Sequence, residues 1–167
     1  GFHKAAEKGY LSGHKMAGVR YRLLDGAHHI VDSSDLAFQL ATIESIKQVY
    51  DNGSWQLLEP IMAVEVNVPD EFTGVVIGCL ARRSGQLSGT DGSQGYSTLY
   101  ADVPLNRMFG FATELRTLTQ GKGEFSMEYA RYSPCQPDTQ AEAVNEYLQK
   151  LEAEQSGGAV AKKKKNK

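Results

Sequence analysis

This sequence has few cysteines, no long apolar run and no phosphate-binding loop, and each absence argues against a class of protein. Its two cysteines, Cys79 and Cys135, are too few for a disulfide framework, so a reducing compartment is the simpler interpretation. No apolar run approaches the roughly 18 residues of a transmembrane helix, and we expect no membrane partner. The pattern G-x-x-x-x-G-K-[S/T] is absent, so we expect no nucleotide hydrolysis by these residues.

Basic charge is also scarce outside the C-terminus. The net charge is −2, but five of the 18 basic residues are the lysines at 162–165 and 167, and the remaining 13 face 20 acidic residues, a net charge of −7. A chain body this acidic is not a general nucleic-acid binder. Residues 1–30 are the exception, with a net charge of +3 and all four histidines. Any RNA contact made by charge alone should therefore lie near the N-terminal part.

Residues 1–57 predict an incomplete α/β piece. Residues 1–8 are typical of a helix end, and Val19, Tyr21 and Leu23 alternate with arginines as in a half-buried strand. A helix should follow, with one apolar stripe and an end at Asn52-Gly53; the stripe consists of Leu36, Leu40, Ile43 and Tyr50. One strand and one helix cannot bury both faces, so we expect upstream strands to be missing. The chain begins with Gly1 rather than Met, which also indicates a fragment.

Two adjacent histidines stand between this strand and this helix. Asp25-Gly26 predicts a tight turn that uses the positive φ of glycine. Side-chain oxygens for the N-cap of the helix are offered by Asp32, Ser33 and Ser34. Gly26, Ala27, His28 and His29, here called the tip loop, should therefore be presented by a rigid scaffold, and function concentrates in such loops.

Residues 58–133 predict a complete ferredoxin-like unit, β-α-β-β-α-β. Alternating apolar residues give a first strand over 62–68 and a fourth over 125–129. Residues 86–89 and 96–103 predict a hairpin around a loop at 90–95. Two helices complete the unit, the first from the apolar stripe Phe72, Val75, Val76, Cys79 and Leu80, the second from Leu105, Met108, Phe109, Ala112 and Leu115. The fold class is thus α+β, and one face of the sheet is left open to a neighbouring domain or to RNA.

The C-terminal part predicts a helix and a tail. Residues 134–155 follow two prolines and contain a capping box, Thr139-Gln-Ala-Glu142, so we expect a helix that docks on the body. Residues 156–167 lose hydrophobicity and lead through Gly157-Gly158 into the lysine run, which predicts a disordered tail. The tail is more simply interpreted as a solubilising terminus than as a weak anchor for RNA or membrane.

The sequence resembles a known family, elongation factor G. The run Asp25-Gly-Ala-His-His-Ile-Val-Asp-Ser-Ser-Asp-Leu-Ala-Phe38 is similar to the family's D-G-S-Y-H-x-V-D-S-S-x-L-A-F in domain IV. Further blocks match in order: Leu57-Leu-Glu-Pro-Ile-Met62, Val103-Pro-Leu105, Phe109-Gly-Phe-Ala-Thr-Glu-Leu-Arg116 and Leu118-Thr-Gln-Gly121. Residues 121–129 and 132–137 look more like the mitochondrial branch than the bacterial one.

The resemblance implies a division of the chain and a role for each part. Residues 1–57 would be the later part of domain IV, 58–133 domain V, 134–155 a C-terminal helix and 156–167 the tail. The histidine matched by His29 enters the decoding site of the small ribosomal subunit, where an imidazole can donate to phosphate or 2′-OH and stack on a base. His28 stands where bacteria commonly have Tyr. The resemblance also implies that the protein is a monomer and that its partner is the mitochondrial ribosome in the matrix.

Further contacts with ribosomal RNA are implied for domain V. Arg82 and Arg83 follow its first helix, and arginine matches phosphate in a bidentate way, although the family's D-L-N-x-R-R-G here reads Cys79-Leu-Ala-Arg-Arg-Ser-Gly85. Gln120 and Lys122 lie in a loop after the second helix. A solvated helix end and a plain turn explain these residues about as well. GTP and Mg²⁺ would belong to a GTPase domain that these residues do not include, so this fragment is not itself an enzyme.

Several alternatives remain open. The closest is the mitochondrial paralogue devoted to ribosome recycling. A stand-alone ferredoxin-like module that binds a small ligand belongs to another class, as does a zinc or hydrolytic enzyme that uses His28 and His29. Adjacent histidines in an extended segment point in opposite directions, and no nucleophile lies nearby, which disfavours the last. An RNA-recognition motif needs an aromatic-rich third strand that Tyr96-Ser-Thr-Leu-Tyr100 does not match.

Overall fold

The computed structural model describes the backbone of residues 1–164 and the side chains of residues 1–154. The chain divides into two compact units. The second unit is continuous, Leu58–Cys135, whereas the first combines Gly1–Leu57 with the segment that begins at Gln136. The C-terminal helix therefore belongs with the N-terminal residues.

The second unit is an antiparallel sheet covered on one face by helices. Its elements are β1 (Leu58–Pro69), a short 3₁₀ turn (Asp70–Phe72), α3 (Thr73–Arg82), β2 (Gln86–Ser93), β3 (Tyr96–Pro104), α4 (Leu105–Met108), α5 (Phe111–Leu118) and β4 (Glu124–Pro134). The strand order is β2-β3-β1-β4, with every neighbouring pair antiparallel. The predicted ferredoxin-like order is confirmed, because in this fold the two strands of each β-α-β unit are separated by one strand of the other unit.

The core of this unit lies between the sheet and the helices. Val64, Val66 and Val68 alternate along β1 and are almost fully buried, since successive side chains of a strand point to opposite faces. The helices on that face contribute five further buried side chains to the same core: Val76, Cys79, Leu80, Phe111 and Leu115. On the opposite face, Glu65, Tyr100 and Glu128 are exposed, so that face remains open.

The hairpin and the second helix differ from the sequence-based prediction. The ladder of β2 and β3 continues to Ser93, and the reversal occupies only Gln94 and Gly95, whose φ angles are 54° and 86°. Two residues at positive φ form the turn that suits the twist of a hairpin, so the predicted six-residue loop is wrong. The predicted second helix is split into α4 and α5 by Gly110, which adopts a φ of 76°.

The first unit contains α1 (Phe2–Glu7), α2 (Asp35–Tyr50) and a long irregular segment between them. Among the described residues of this unit there is no strand, so the strand predicted over Val19, Tyr21 and Leu23 is wrong. A strand needs a neighbour that accepts its backbone hydrogen bonds, and the described part of this unit offers none. The segment is instead held by single contacts: the Tyr21 ring stacks on Phe2 at 5.7 Å between centroids, and its hydroxyl lies 3.4 Å from Ser45 Oγ.

An aromatic cluster anchors the C-terminal end of α2. Tyr50 is buried, stacks on Trp55 at 4.4 Å and meets the edge of Tyr10 at 5.2 Å between centroids. The Tyr50 carbonyl accepts from the indole nitrogen of Trp55 at 2.7 Å and from Gly53 N at 3.0 Å, so both bonds hold the end of the helix. The apolar stripe of α2 is only partly covered, because Leu36 and Leu40 remain exposed.

The helix α6 spans Pro137–Lys164. Its backbone begins with a hydrogen bond from Gln140 N to Gln136 O, so the helix starts two residues before Thr139 and the predicted capping box is wrong. Proline suits the first helical position because the amide that it lacks would be unpaired there. Gln140 Oε1 accepts from Leu57 N at 2.8 Å and ties the helix to the end of the first segment. The predicted tail, residues 156–167, overlaps this helix as far as Lys164, and its last three residues lie outside the described part of the chain.

Candidate functional site

The tip loop lies in the most exposed stretch of the first unit. Every residue from Ala17 to Asp32 is exposed, and the His29 side chain is 72% exposed. Large apolar side chains are exposed beside it: Leu23, Leu24, Ile30 and Val31. Exposed apolar side chains in this number are typical of a surface that a partner or another part of the same protein covers.

The backbone around His29 is fixed although its side chain is exposed. Ser33 Oγ accepts from the His29 amide at 2.8 Å, and the His29 carbonyl accepts from Asp32 N at 3.2 Å and Ser33 N at 3.0 Å. The Asp32 carboxylate lies 3.5 Å from His29 Nδ1 and can pair with a protonated ring. The amide and the carbonyl of His29 are thus both satisfied locally, which presents the imidazole from a closed turn.

The turn is not where the sequence predicted it. Gly26 does not adopt a positive φ, and its amide is bound by the Asp25 carboxylate at 2.7 Å, so the reversal lies at His29–Ser33 instead. Of the three predicted N-cap residues only Ser34 caps α2, accepting from Ala37 N at 3.2 Å. Asp32 and Ser33 instead hydrogen-bond to His29 within the turn, so the three adjacent polar residues stabilise two different elements.

A second cluster, at one end of α3, is built around Arg83. Its side chain is 17% exposed and donates to the Glu114 carboxylate through Nη2 at 2.6 Å and Nε at 3.1 Å. The Nη1 group donates to the carbonyls of Arg107 and of Phe109, the latter at 3.1 Å. The guanidinium also lies 5.4 Å from the centroid of the buried Phe111 ring. We call these contacts the Arg83 clamp, since they join α3 to α4 and α5.

The donors of the Arg83 clamp change the pKa of the Glu114 carboxyl group. Hydrogen bonds from Arg83 above all, then from Cys79 and Arg82, lower the pKa of Glu114 from 4.5 to about 2. Burial raises the pKa of the Cys79 thiol, and its hydrogen bond to Glu114 acts in the same direction. The thiol therefore stays protonated at neutral pH and is no candidate nucleophile.

The four residues predicted to contact RNA in the second unit do not share one environment. Arg82 is 65% exposed and reaches Glu114 at 3.1 Å, whereas Arg83 directs its donors inward. Lys122 lies 3.3 Å from Glu71 and over the Phe72 ring at 5.6 Å, and Gln120 is exposed at a φ of 52°. The sequence predicts both arginines as RNA contacts, whereas the structure exposes the side chain of Arg82 and largely buries that of Arg83.

The loop that carries Gln120 and Lys122 is shaped by a buried threonine. Thr119 is fully buried; its hydroxyl donates to Leu115 O at 2.7 Å and accepts from Gly123 N at 2.9 Å. Gly121 follows at a φ of 81°, which favours glycine. This arrangement fixes the loop while its polar side chains remain outside.

The sequence does not indicate the roles of two residues that take part in the Arg83 clamp, Glu114 and Phe109. Glu114 is the partner of both arginines, yet it resembles any exposed acid on a helix. The sequence pattern predicts Phe109 in the apolar stripe of a helix, but its side chain is 75% exposed. The adjacent Gly110 was the available signal, because glycine within a helical pattern often marks a break.

Neither a metal cluster nor a membrane-spanning helix occurs among the described residues. Within that part of the chain, no group of three or more His, Cys, Asp or Glu side chains converges in a way that could hold a metal ion. Over the same residues, no helix is both long and apolar enough to cross a membrane. The tip loop and the Arg83 clamp offer hydrogen-bond donors, positive charge and aromatic ring faces.

Comparisons with known proteins match both units. The family model described as "Elongation factor G, domain IV" matches residues 1–54, and "Elongation factor G C-terminus" matches residues 56–143. A protein of Culex quinquefasciatus named "Elongation factor G, mitochondrial" is 60% identical over 100% of this chain and 22% of its own length. The protein of that name from Aedes aegypti is 64% identical over 88% of this chain and 20% of its own length.

A solved structure is also similar. A crystal structure of a Thermus thermophilus protein matches with a TM-score of 0.79 and 35% identity, over 88% of this chain and 22% of that one. The chain therefore spans about a fifth of the length of the relatives that it matches.

Proposed function

This chain belongs to the elongation factor G family, and from that membership we propose that it is the ribosome-binding arm of a mitochondrial factor that promotes GTP-dependent translocation of tRNA and mRNA. The observation that carries the proposal is the tip loop, in which the His29 side chain is 72% exposed on a backbone closed by Ser33. Such a loop suits insertion between partners better than it suits catalysis.

In this proposal the tip loop enters the decoding site as tRNA leaves it. Gly26 and Ala27 keep the loop narrow, and His28 and His29 donate to phosphate or 2′-OH groups or stack on bases. Binding the post-translocation state more tightly than the preceding one shifts the equilibrium forward and opposes backward slippage. The loop acts as a wedge, with no proton transfer required.

The second unit holds the arm against the large subunit. Arg82 and Lys122 offer exposed cations for phosphate, Gln120 offers an amide, and Arg83 contributes by fixing the backbone beside them. The factor acts as a monomer in the mitochondrial matrix, and GTP and Mg²⁺ act in a GTPase domain of the parent protein. The names of the insect relatives support the mitochondrial assignment.

The test is a His29→Ala substitution in the full-length factor, with His3→Ala as the matched control. His3 is exposed on α1, away from the tip loop in sequence, and carries the same side chain. Loss of one charge-assisted hydrogen bond is worth about 1.5–3 kcal/mol, so His29→Ala should slow single-turnover translocation about tenfold or more. GTP hydrolysis should stay nearly unchanged. Equal loss of both activities, or an equal effect of His3→Ala, would sink the proposal.

A second candidate function is ribosome recycling, carried out by the mitochondrial paralogue with the same domains. A tRNA-translocation assay separates the two, since the recycling factor would leave translocation at its uncatalysed rate. A stand-alone ligand-binding module is a third candidate. It requires saturable metabolite binding by this chain and no association with ribosomes.

A further inference from the structure

The second unit displays one aromatic ring at a corner between two helices. Phe109 lies between α4 and α5 with 75% of its surface exposed, whereas the neighbouring Met108 and Phe111 are buried. Exposure of a phenyl ring to water is unfavourable, and most of this ring is left uncovered by the unit that carries it. Its display therefore needs an explanation beyond folding.

The backbone that carries Phe109 is held rigidly. The Arg83 guanidinium binds the Phe109 carbonyl at 3.1 Å and the Arg107 carbonyl two residues earlier, and Glu114 fixes the guanidinium in turn. The next residue, Gly110, adopts a φ of 76° and starts α5, where Glu114 N donates to Gly110 O at 3.2 Å. The ring is thus presented from a fixed support, which lowers the entropy lost when a partner binds.

The charge around this ring is positive. Arg107 is exposed and flanks Phe109, Arg82 is 65% exposed, and Arg83 lies beneath, against the single carboxylate of Glu114. The open face of the sheet is the reverse, with the exposed acids Glu65 and Glu128. A phosphate chain is therefore attracted to this corner and repelled from the sheet, whereas a basic protein surface would prefer the sheet.

We propose that Phe109, Arg107 and Arg82, here called the Phe109 corner, bind an unpaired RNA base, with Phe109 stacking on the base and the arginines contacting its phosphates. An aromatic face beside guanidinium groups is the combination that single-stranded RNA sites use, because stacking accepts any base and the cations follow the backbone. The inference rests on the proposed role of this unit as a contact for ribosomal RNA and deepens it. It assigns the contact to an unpaired nucleotide and names the ring that receives it.

The test is an NMR titration of the 167-residue chain with single-stranded octauridylate and, separately, with a base-paired RNA duplex of equal length, at low salt. Phe109→Leu keeps an apolar side chain but removes the aromatic face. Phe38→Leu is the matched control, since Phe38 is 49% exposed on α2 in the other unit. Arg107→Gln tests the charge independently. Unchanged resonances of the buried Val66 and Leu99 show that each variant remains folded.

The expected result is an upfield shift of the Phe109 ring protons with octauridylate and a dissociation constant at least about fivefold higher in Phe109→Leu. Phe38→Leu should bind octauridylate as tightly as the unchanged chain does. Arg107→Gln should reduce the slope of the logarithm of the binding constant against the logarithm of the salt concentration by about one.

Two results would overturn the proposal. If Phe109→Leu binds octauridylate as well as Phe38→Leu while Arg107→Gln binds weakly, stacking is refuted but an electrostatic RNA contact by this unit stands. If neither RNA shifts the resonances of the Phe109 corner, the corner does not bind RNA and a protein partner becomes the better explanation. That result would leave the His29 test of translocation unaffected.

Discussion

The Arg83 clamp should make the second unit sensitive to acid and to the loss of one charge. Glu114 carries a pKa of about 2 against an ordinary 4.5, because Arg83 donates to its ionised carboxylate through both Nε and Nη2. Each pKa unit corresponds to about 1.4 kcal/mol, so an unscreened shift of this size would be worth about 3 kcal/mol. The Glu114 side chain is 35% exposed, and solvent screening reduces this to about 1–2 kcal/mol.

The sign of the pH dependence follows from the lowered pKa. Above pH 4.5 the carboxylate is ionised in both the folded and the unfolded chain, and its full contribution to the free energy of unfolding is present. As pH falls from 4.5 toward about 2, the unfolded chain binds a proton that the folded chain does not, and the contribution is lost. Stability due to this group therefore falls with acid over that window.

The perturbation is Glu114→Gln, which keeps the shape of the side chain and removes its charge. At pH 7 it leaves the nearly buried Arg83 cation without a counter-charge, and we expect the free energy of unfolding to fall by about 2 kcal/mol. Glu128→Gln is the matched control, an exposed acid on β4, with an expected change within about 0.5 kcal/mol. Below about pH 2 the Glu114→Gln variant and the unchanged chain should converge.

The assay is native-state hydrogen exchange at the backbone amides of β1 and β3. The single tryptophan, Trp55, belongs to the first unit, so its fluorescence does not report on the clamp. Exchange measures the opening free energy of each unit separately, which suits a chain with two of them. Equal losses in Glu114→Gln and Glu128→Gln at pH 7 would refute the reasoning, as would an undiminished difference at pH 2.

Two further predictions concern packing. Gly13 and Gly18 both adopt a φ near 70°, but a methyl group on Gly13 would lie 2.5 Å from the Tyr147 ring of α6, whereas Gly18 has nothing within 4 Å. Gly13→Ala should therefore lower the free energy of unfolding by about 1–3 kcal/mol more than Gly18→Ala, measured by Trp55 fluorescence in urea; equal losses would mean that α6 does not pack there. Burial raises the pKa of both Cys79 and Cys135, which are 1% and 5% exposed. Neither thiol should react with a thiol reagent in the native chain at about pH 8 within the time in which both react in urea; rapid reaction of Cys79 without denaturant would contradict the burial of α3.

The second unit could be predicted from the sequence because its patterns are local. The alternation of Val64, Val66 and Val68 and the spacing of Val76, Cys79 and Leu80 each predict a burial that the fold then provides. The split between α4 and α5 was missed because a short apolar stripe fits one helix as well as two. Only the backbone conformation of Gly110 separates them.

The first unit was harder for a physical reason. The alternation around Tyr21 is typical of a strand, but a strand forms only where a neighbour pairs with it, and no neighbour lies among the described residues of this unit. The tip loop was found by its residue types and by family resemblance, whereas its closure by Ser33 depends on a contact over four residues. Whether a side chain such as Ser33 caps a helix or closes a turn depends on backbone geometry.

The most direct test of the central claim is directed hydroxyl-radical probing from the tip loop. An Ala27→Cys full-length factor carrying a tethered iron chelate would be bound to mitochondrial ribosomes, with the unsubstituted factor as the control for other thiols. Cys79 and Cys135 are buried, so within this chain the label should attach at position 27. The account predicts cleavage of small-subunit RNA around the decoding site in the post-translocation complex. Cleavage only elsewhere on the ribosome, or none above the control, would contradict it.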